Sequence, residues 1–211
     1  MNSSELITRR IVERDRLGVH SLCLASFPIE YPESWYDDVV SGVLTSIGIF
    51  SNDNIVALIV AEHKLVSQCN VEDRDILSDE LSSVVYILSL AVASEYRRKG
   101  LATRLLEYLR DMYSSPNRNE SFALPHALFL HVLSTNHSAI SFYKRHGFVL
   151  HDTLLNYYRL KDGFGDGLTF VLYINGGHRS YTFLDICRMC ASFLCSPLKR
   201  LMKSDNESYR D

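Results

Sequence analysis

Three features of this 211-residue sequence place chemically capable side chains at informative positions. Tyr86 stands in "VVYILSLAVA" and His131 in "ALFLHVLST", each the notable polar group of an otherwise apolar stretch. An imidazole, with a reference pKa of about 6.5, suits a base near neutrality, whereas a phenol near 10 works through an ordered water or with a lowered pKa. The alternative for both is a satisfied core polar group, His131 bonding a backbone carbonyl and Tyr86 capping the hydrophobic layer. The third feature is "EYRRKGLATRLL", Glu95 to Leu106, where Arg97, Arg98 and Lys99 precede Gly100 and an apolar-periodic helix follows. The first turn of a helix gathers unpaired N–H groups and the positive end of the macrodipole, so it binds anions. Gly100 and the small Ala102 keep side-chain bulk away from a phosphate that approaches the backbone.

These residues need elements to hold them. "LITRRIVERD" reads as a strand running into a helix that ends near Phe27, where the two prolines of "FPIEYP" break it. "ESWYDDVVSG" is a short amphipathic helix stopped by Gly42. "LTSIGIF" and "NIVALIVAEHKLV" form a hairpin about "SNDN". The acidic stretch "NVEDRDILSDELSS" reads as a solvated loop. Then come the Tyr86 strand, a helix from Gly100 to Tyr113, the His131 strand and the helix "HSAISFYKRHGF". Two apolar strands alternating with helices predict a parallel pair buried on both faces. "VLHDTLLNYYRLKDGFGDGLTFVLYIN" supplies two further long strands. The fold class is therefore α/β with a mixed central sheet flanked by helices. Strand alternation puts Tyr86, Leu88 and Leu90 on one face.

Composition narrows the class. A net charge of -3 gives no reason to expect nucleic acid. Five cysteines, an odd number, and no apolar core segment in "MNSSELITRR" lead us to expect free thiols on the cytosolic side. Cys187 and Cys190 make a C-x-x-C without a second ligand pair, so no metal is expected. Neither a nucleotide-triphosphate loop nor a dinucleotide glycine fingerprint is present, which leaves a pyrophosphate carried by some other group.

Arg97-x-x-Gly100-x-Ala102 between a strand and an amphipathic helix resembles the acetyl-coenzyme A signature of the GNAT acetyltransferases. "FPIEYPESWY", "YILSLAV", "FLHVLSTNHSAISFY" and "DGLTFVLYINGGH" together resemble the Golgi-associated NatF type of N-terminal acetyltransferase. The resemblance implies a GNAT domain over residues 1–178, acetyl-CoA as cosubstrate, and Tyr86 and His131 as the catalytic pair. It implies cofactor contacts at Leu90, Ala91 and Val92 for the pantetheine arm and at Arg98, Lys99, Gly100, Leu101, Ala102 and Thr103 for the pyrophosphate. Asn136, Tyr143, Lys144, Arg145 and His146 follow as further cofactor contacts, with Tyr143 placed to protonate the leaving thiolate. Tyr143 equally fits the buried face of its helix. Protein N-termini would be bound by Phe27, Glu30, Tyr31, Leu88, Tyr157 and Tyr158. Initiator methionine followed by a bulky apolar residue is the implied preference, Met-Lys included; the alternatives are a histone-type lysine acetyltransferase and a non-catalytic acetyl-CoA-binding module held at a membrane.

Residues 179–211 are a separate matter. Phe183, Ile186, Cys187, Cys190, Phe193, Leu194, Leu198 and Leu201 recur at helical steps, with Lys199, Arg200 and Lys203 near the end of the stripe. Asp185 and Arg188 interrupt any run long enough to span a bilayer. The stripe either packs on the domain or lies on a membrane surface. The family likeness implies the second, as a peripheral protein on the cytosolic face of the Golgi.

Overall fold

The computed structural model describes residues 5–114, 124–160 and 163–179. The C-terminal stripe and its membrane expectation lie outside the described residues. Among the described residues of the unit that runs to His178, seven strands and four α-helices succeed one another as β1 (Leu6–Arg10), α1 (Arg16–Ser26), α2 (Glu33–Ser41), β2 (Thr45–Ser51), β3 (Asn54–Leu65), β4 (Ser83–Val92), α3 (Leu101–Ser114), β5 (Ala127–Leu133), α4 (His137–Arg145), β6 (Val149–Leu160) and β7 (Gly163–Tyr173). The local causes are those of the sequence. Gly42 ends α2 at φ 86°, and Asn52 and Asp53 take left-handed φ of 49° and 63° at the β2–β3 turn, as a tight hairpin requires.

The strands form one mixed sheet in the order β1-β2-β3-β4-β5-β7-β6, with β4 and β5 its parallel pair. One face packs on α3 and α4 through Leu105, Leu109, Leu128, Leu130, Tyr143 and Phe170. Leu105 and Leu109 are fully buried there, and burying each contributes about 1.5–3 kcal/mol. The opposite face carries two clusters side by side. Val19, Leu22, Tyr36 and Val39 of α1 and α2 cover Leu58, Val60 and Ala91, while Val66, Cys69, Ile76 and Leu77 cover Val84, Ala127, Phe129 and Val171.

That second cover corrects the reading of 70–83 as a solvated loop. Ile76, Leu77 and Asp73 are buried. The segment closes on itself at Val66 N to Ser82 O, 2.9 Å, and Ser67 N to Glu80 O, 3.0 Å, and its apolar residues fill the sheet face that α1 and α2 do not reach. A second correction concerns β4. Its register against β3 passes from Val60–Ser89 to Ala61–Ile87, so Leu88 has no partner. One extra residue in a bulge reverses the alternation beyond it. Tyr86 and Leu88 consequently share the face that α1, α2 and the 66–82 segment cover, whereas Leu90 joins the α3 side.

Candidate active site

β4 and β5 pair only at Val84–Ala127, Val85–Leu128 and Tyr86–Phe129. Past that point β4 runs on to Val92 along β3, and β5 runs on to Leu133 along β7. The two strands part at Tyr86, so their facing edges carry backbone donors and acceptors without a strand partner, available to an extended ligand. The fork also joins the two faces of the sheet at one point.

At its vertex stand the two strand residues singled out from sequence. Tyr86 Oη lies 2.9 Å from His131 Nδ1. Tyr157 Oη from β6 lies 3.0 Å from the same nitrogen. His131 Nε2 lies 2.9 Å from Asp73 Oδ1, with both side chains only 2% exposed. A carboxylate accepts, so the imidazole donates through Nε2 and its Nδ1 lone pair receives the phenols. With Nε2 held by Asp73 from behind, Nδ1 is the nitrogen aimed at the fork and the phenols. The Tyr86 ring stacks on Phe129 at 4.7 Å, and the Lys64 ammonium, paired with Glu62 at 2.6 Å, sits 5.2 Å from its centroid. Burial pushes the Tyr86 phenol well above its ordinary pKa, and the neighbouring Tyr157 adds to the rise. Tyr157 and Tyr158 are raised as well, mainly by burial. All three phenols hold their protons at neutrality.

A cleft of about 810 Å³ opens along the β4 side of the fork. Among the expected cofactor residues, Leu90, Ala91, Val92, Arg98, Gly100, Leu101, Ala102, Thr103, Asn136, Tyr143 and Arg145 line it, joined by Arg97. Arg97 Nε donates to Val92 O at 3.0 Å, tying the basic run to the end of β4. Arg98 at φ 62° and Gly100 at φ 80° turn the chain into α3. The first helical hydrogen bond is Arg104 N to Gly100 O, which leaves the Leu101, Ala102 and Thr103 N–H groups at the open turn. A side chain at Gly100 would meet nothing within 4 Å, because the backbone there borders open cleft. The residues fit an acyl-coenzyme A: strand edge for the pantetheine arm, open helix start and arginines for the pyrophosphate. Asn136 caps α4 by accepting from Ala139 N at 3.1 Å. Tyr143 is both core and cleft wall, with its phenol pushed up by burial.

Lys99, Lys144 and His146 do not border this cleft. The Lys99 ammonium lies 5.1 Å over the Tyr96 ring. His146 is a strut between helices, its Nε2 3.1 Å from Thr103 Oγ1 and its Nδ1 2.8 Å from Phe142 O.

On the sheet face that α1 and α2 cover, Phe27, Tyr31, Trp35 and Leu88 pack together, and Phe27 also lines the cleft. Tyr31 stacks on Trp35 at 4.1 Å and is anchored by its hydroxyl to Ser89 Oγ at 2.8 Å. Glu30 is exposed at the rim. Tyr158 stands edge-on to Tyr157 with centroids 5.1 Å apart. Asp73 is the site residue that sequence reasoning missed, since nothing in "NVEDRDIL" separates it from Glu72 or Asp75. Among the described residues no group of His, Cys, Asp and Glu is arranged to hold a metal ion.

The acetyltransferase (GNAT) family model matches residues 17–148. N-alpha-acetyltransferase 60 of Xenopus tropicalis is 40% identical over 195 residues, covering 90% of this chain and 79% of its own. Two crystal structures of Arabidopsis thaliana NAA60 superpose with a TM-score of 0.72 and cover 82% of this chain and 100% of theirs. One is in complex with a bisubstrate analogue, at 26% identity, and the other with acetyl-CoA, at 25%. With the fork, the cradle and the paired Tyr86 and His131 already in place, these likenesses show that the chain belongs to the GNAT acetyltransferase family, within its N-alpha-acetyltransferase 60 group.

Proposed function

We propose that the chain transfers the acetyl group of acetyl-CoA to the N-terminal α-amine of proteins that begin with Met and a bulky apolar residue. Met-Leu, Met-Ile, Met-Phe and Met-Tyr are the preferred starts, and Met-Lys is also accepted. We further assign the activity to cytosol-facing N-termini of membrane proteins, with the enzyme held peripherally on the Golgi membrane by 179–211. The observation that carries the reading is the fork. A phosphate-ready cleft reaches it from one side, an aromatic and apolar wall from the other, and a buried acceptor network stands at the meeting point.

Acetyl-CoA, when bound, supplies the activated carbonyl carbon and a thiolate leaving group. The chain's own residues supply the rest. The open turn at Gly100 and the arginines beside it hold the anionic end. Leu90, Ala91 and Val92, which line the cleft, would hold the pantetheine arm and orient the thioester toward the vertex. A peptide α-ammonium has a pKa of about 8 and must lose one proton before attack. The buried network at Tyr86 and His131 accepts it, and Asp73 stabilises the resulting imidazolium. Tyr143, a protonated phenol on the cleft wall, would donate to the departing sulfur and take back the second proton of the amine as the amide forms. Phe27, Tyr31 and Leu88 desolvate the first side chains of the peptide, which favours apolar ones.

The test is acetylation of a peptide library by the full chain, read by mass spectrometry, with liposome co-sedimentation of the same protein. Met-Leu and Met-Ile peptides should react well and Ser-Glu or Ala-Asp peptides poorly. Equal rates for all, or modification of internal lysines in preference to free N-termini, would overturn the reading.

A further inference from the structure

Both nitrogens of His131 are occupied. Nε2 faces Asp73 at 2.9 Å, and the Nδ1 lone pair faces two phenols at once, Tyr86 at 2.9 Å and Tyr157 at 3.0 Å. With its side chain 2% exposed, the imidazole has no open path to a substrate amine. A proton can reach it only through one of the two hydroxyls. One lone pair accepts one linear hydrogen bond, so the two phenols share a single acceptor and only one of them donates to it at a time. Both phenols are held above their ordinary pKa, chiefly by burial, so each carries a proton that it can pass to Nδ1.

The placement of Tyr157 is built. The β6 register against β7 slips between Leu154 and Tyr158, and Asn156 adopts φ 54° with its N–H bonded to Asp166 Oδ1 at 2.8 Å. That bulge swings Tyr157 toward β5. Gly167 makes room for it: a Cβ there would come within 3.0 Å of the Tyr157 ring and Cβ.

We propose that Tyr157 is a third member of the proton relay, the phenol that hands the proton of the substrate amine to His131, and that its role goes beyond walling the peptide pocket. The inference rests on the N-terminal acetyltransferase reading. The substrate α-ammonium gives one proton to the phenol pair, and the Tyr157 O–H bond breaks as its proton forms a bond to Nδ1. Positive charge moves from the amine to an imidazolium that faces Asp73. The second amine proton leaves as the amide forms and ends on the coenzyme sulfur. The relay proton returns through the same phenols to bulk water after product release. No redox change occurs and both phenols end as they began.

Tyr157→Phe keeps the ring that fits against Gly167 and removes only the hydroxyl. With a Met-Leu peptide, kcat at pH 7 should fall by roughly 10²-fold, the low end for general acid–base catalysis, while the peptide KM stays within about threefold. The loss should shrink above about pH 9, where solvent itself deprotonates an amine of pKa about 8. In the substrate-free protein, ¹⁵N spectra should show the His131 Nδ1 resonance shifted in this variant. A phenol that only binds peptide would raise KM at every pH and leave the kcat profile unmoved, and that result overturns the proposal. An unchanged kcat does so too. Absence of any peptide acetylation by the parent protein would instead overturn the N-terminal acetyltransferase function, and a retained thermal melt separates both from unfolding.

Discussion

Asp73→Asn tests the electrostatics of the site most directly. The change removes one negative charge and almost no volume. Asp73 Oδ1 and His131 Nε2 are 2.9 Å apart and both buried, which puts the charge centres of carboxylate and imidazolium about 4 Å apart. At an effective dielectric of about 20 their attraction is about 4 kcal/mol, and at 1.36 kcal/mol per tenfold the upper limit is about 10³-fold in rate. Partial proton transfer in the transition state realises only part of it. We expect kcat for a Met-Leu peptide to fall by about 10²-fold, measured by thiol release between pH 6 and 9. An asparagine also has a second orientation, in which its amide donates to Nε2 and forces the proton onto Nδ1. The phenols then lose their acceptor, which deepens the loss. The melting temperature should move little, because Asn fills the same space and retains a hydrogen bond. A kcat within threefold of the parent across this range would refute the argument that the buried carboxylate stabilises a charged imidazole during turnover.

Two further predictions address binding and folding. Gly100→Val places a β-branched side chain at φ 80° and points it into the open cleft. It should raise the KM for acetyl-CoA by roughly 10–100-fold, the loss of one or two charge-assisted contacts, at a strain cost of about 1–3 kcal/mol; an unchanged KM would place the anion elsewhere. Asp15→Ala removes a bidentate pair with Arg9, at 2.6 and 2.9 Å, and a bond from Val12 N at 2.9 Å. It should cost about 1.5–3 kcal/mol near neutrality. The Arg9 hydrogen bond holds the Asp15 carboxyl below its ordinary pKa. Its contribution is therefore complete above the unfolded value of about 3.9 and is lost as pH falls through the folded one. Parent and variant denaturation midpoints should begin to converge only below about pH 4 and close as the folded-state carboxyl itself takes a proton; a gap that does not narrow at all as pH falls below that value would refute the pairing.

The elements of the sheet were legible because their signals are local. Gly42 sits just beyond the end of α2, the turn at Asn52 and Asp53 tolerates left-handed backbone, and the Leu101, Leu105 and Leu109 spacing is helical. The 66–82 cover was not, since short 3₁₀ turns such as Val71–Asp73 have too few residues for a period. Its charge density pointed outward even though Asp73 and Ile76 point in. Burial of that acid depends on a histidine 58 positions away, and no window of sequence contains both.

The site shows the same division. Tyr86 and His131 could be paired from sequence because each is polar in an apolar strand, and strands predicted to be neighbours bring them to one face. Leu90 was assigned to the wrong face because a bulge adds one residue without any change of residue type, and Leu88 is as apolar as the positions around it. The place of Tyr157 beside His131 is hidden from sequence for a related reason. Its direction is set by a second bulge, whose causes are Asn156, Asp166 and Gly167. Two irregularities of the strand register thus shape the site. One parts Leu88 from Leu90 so that β4 presents its peptide-facing and cofactor-facing residues on opposite sides of the sheet. The other carries a β6 side chain across β7 to a strand it does not pair with. Regular alternation in β4 would turn Leu90 to the face of Tyr86 and Leu88 and take it from the α3 side.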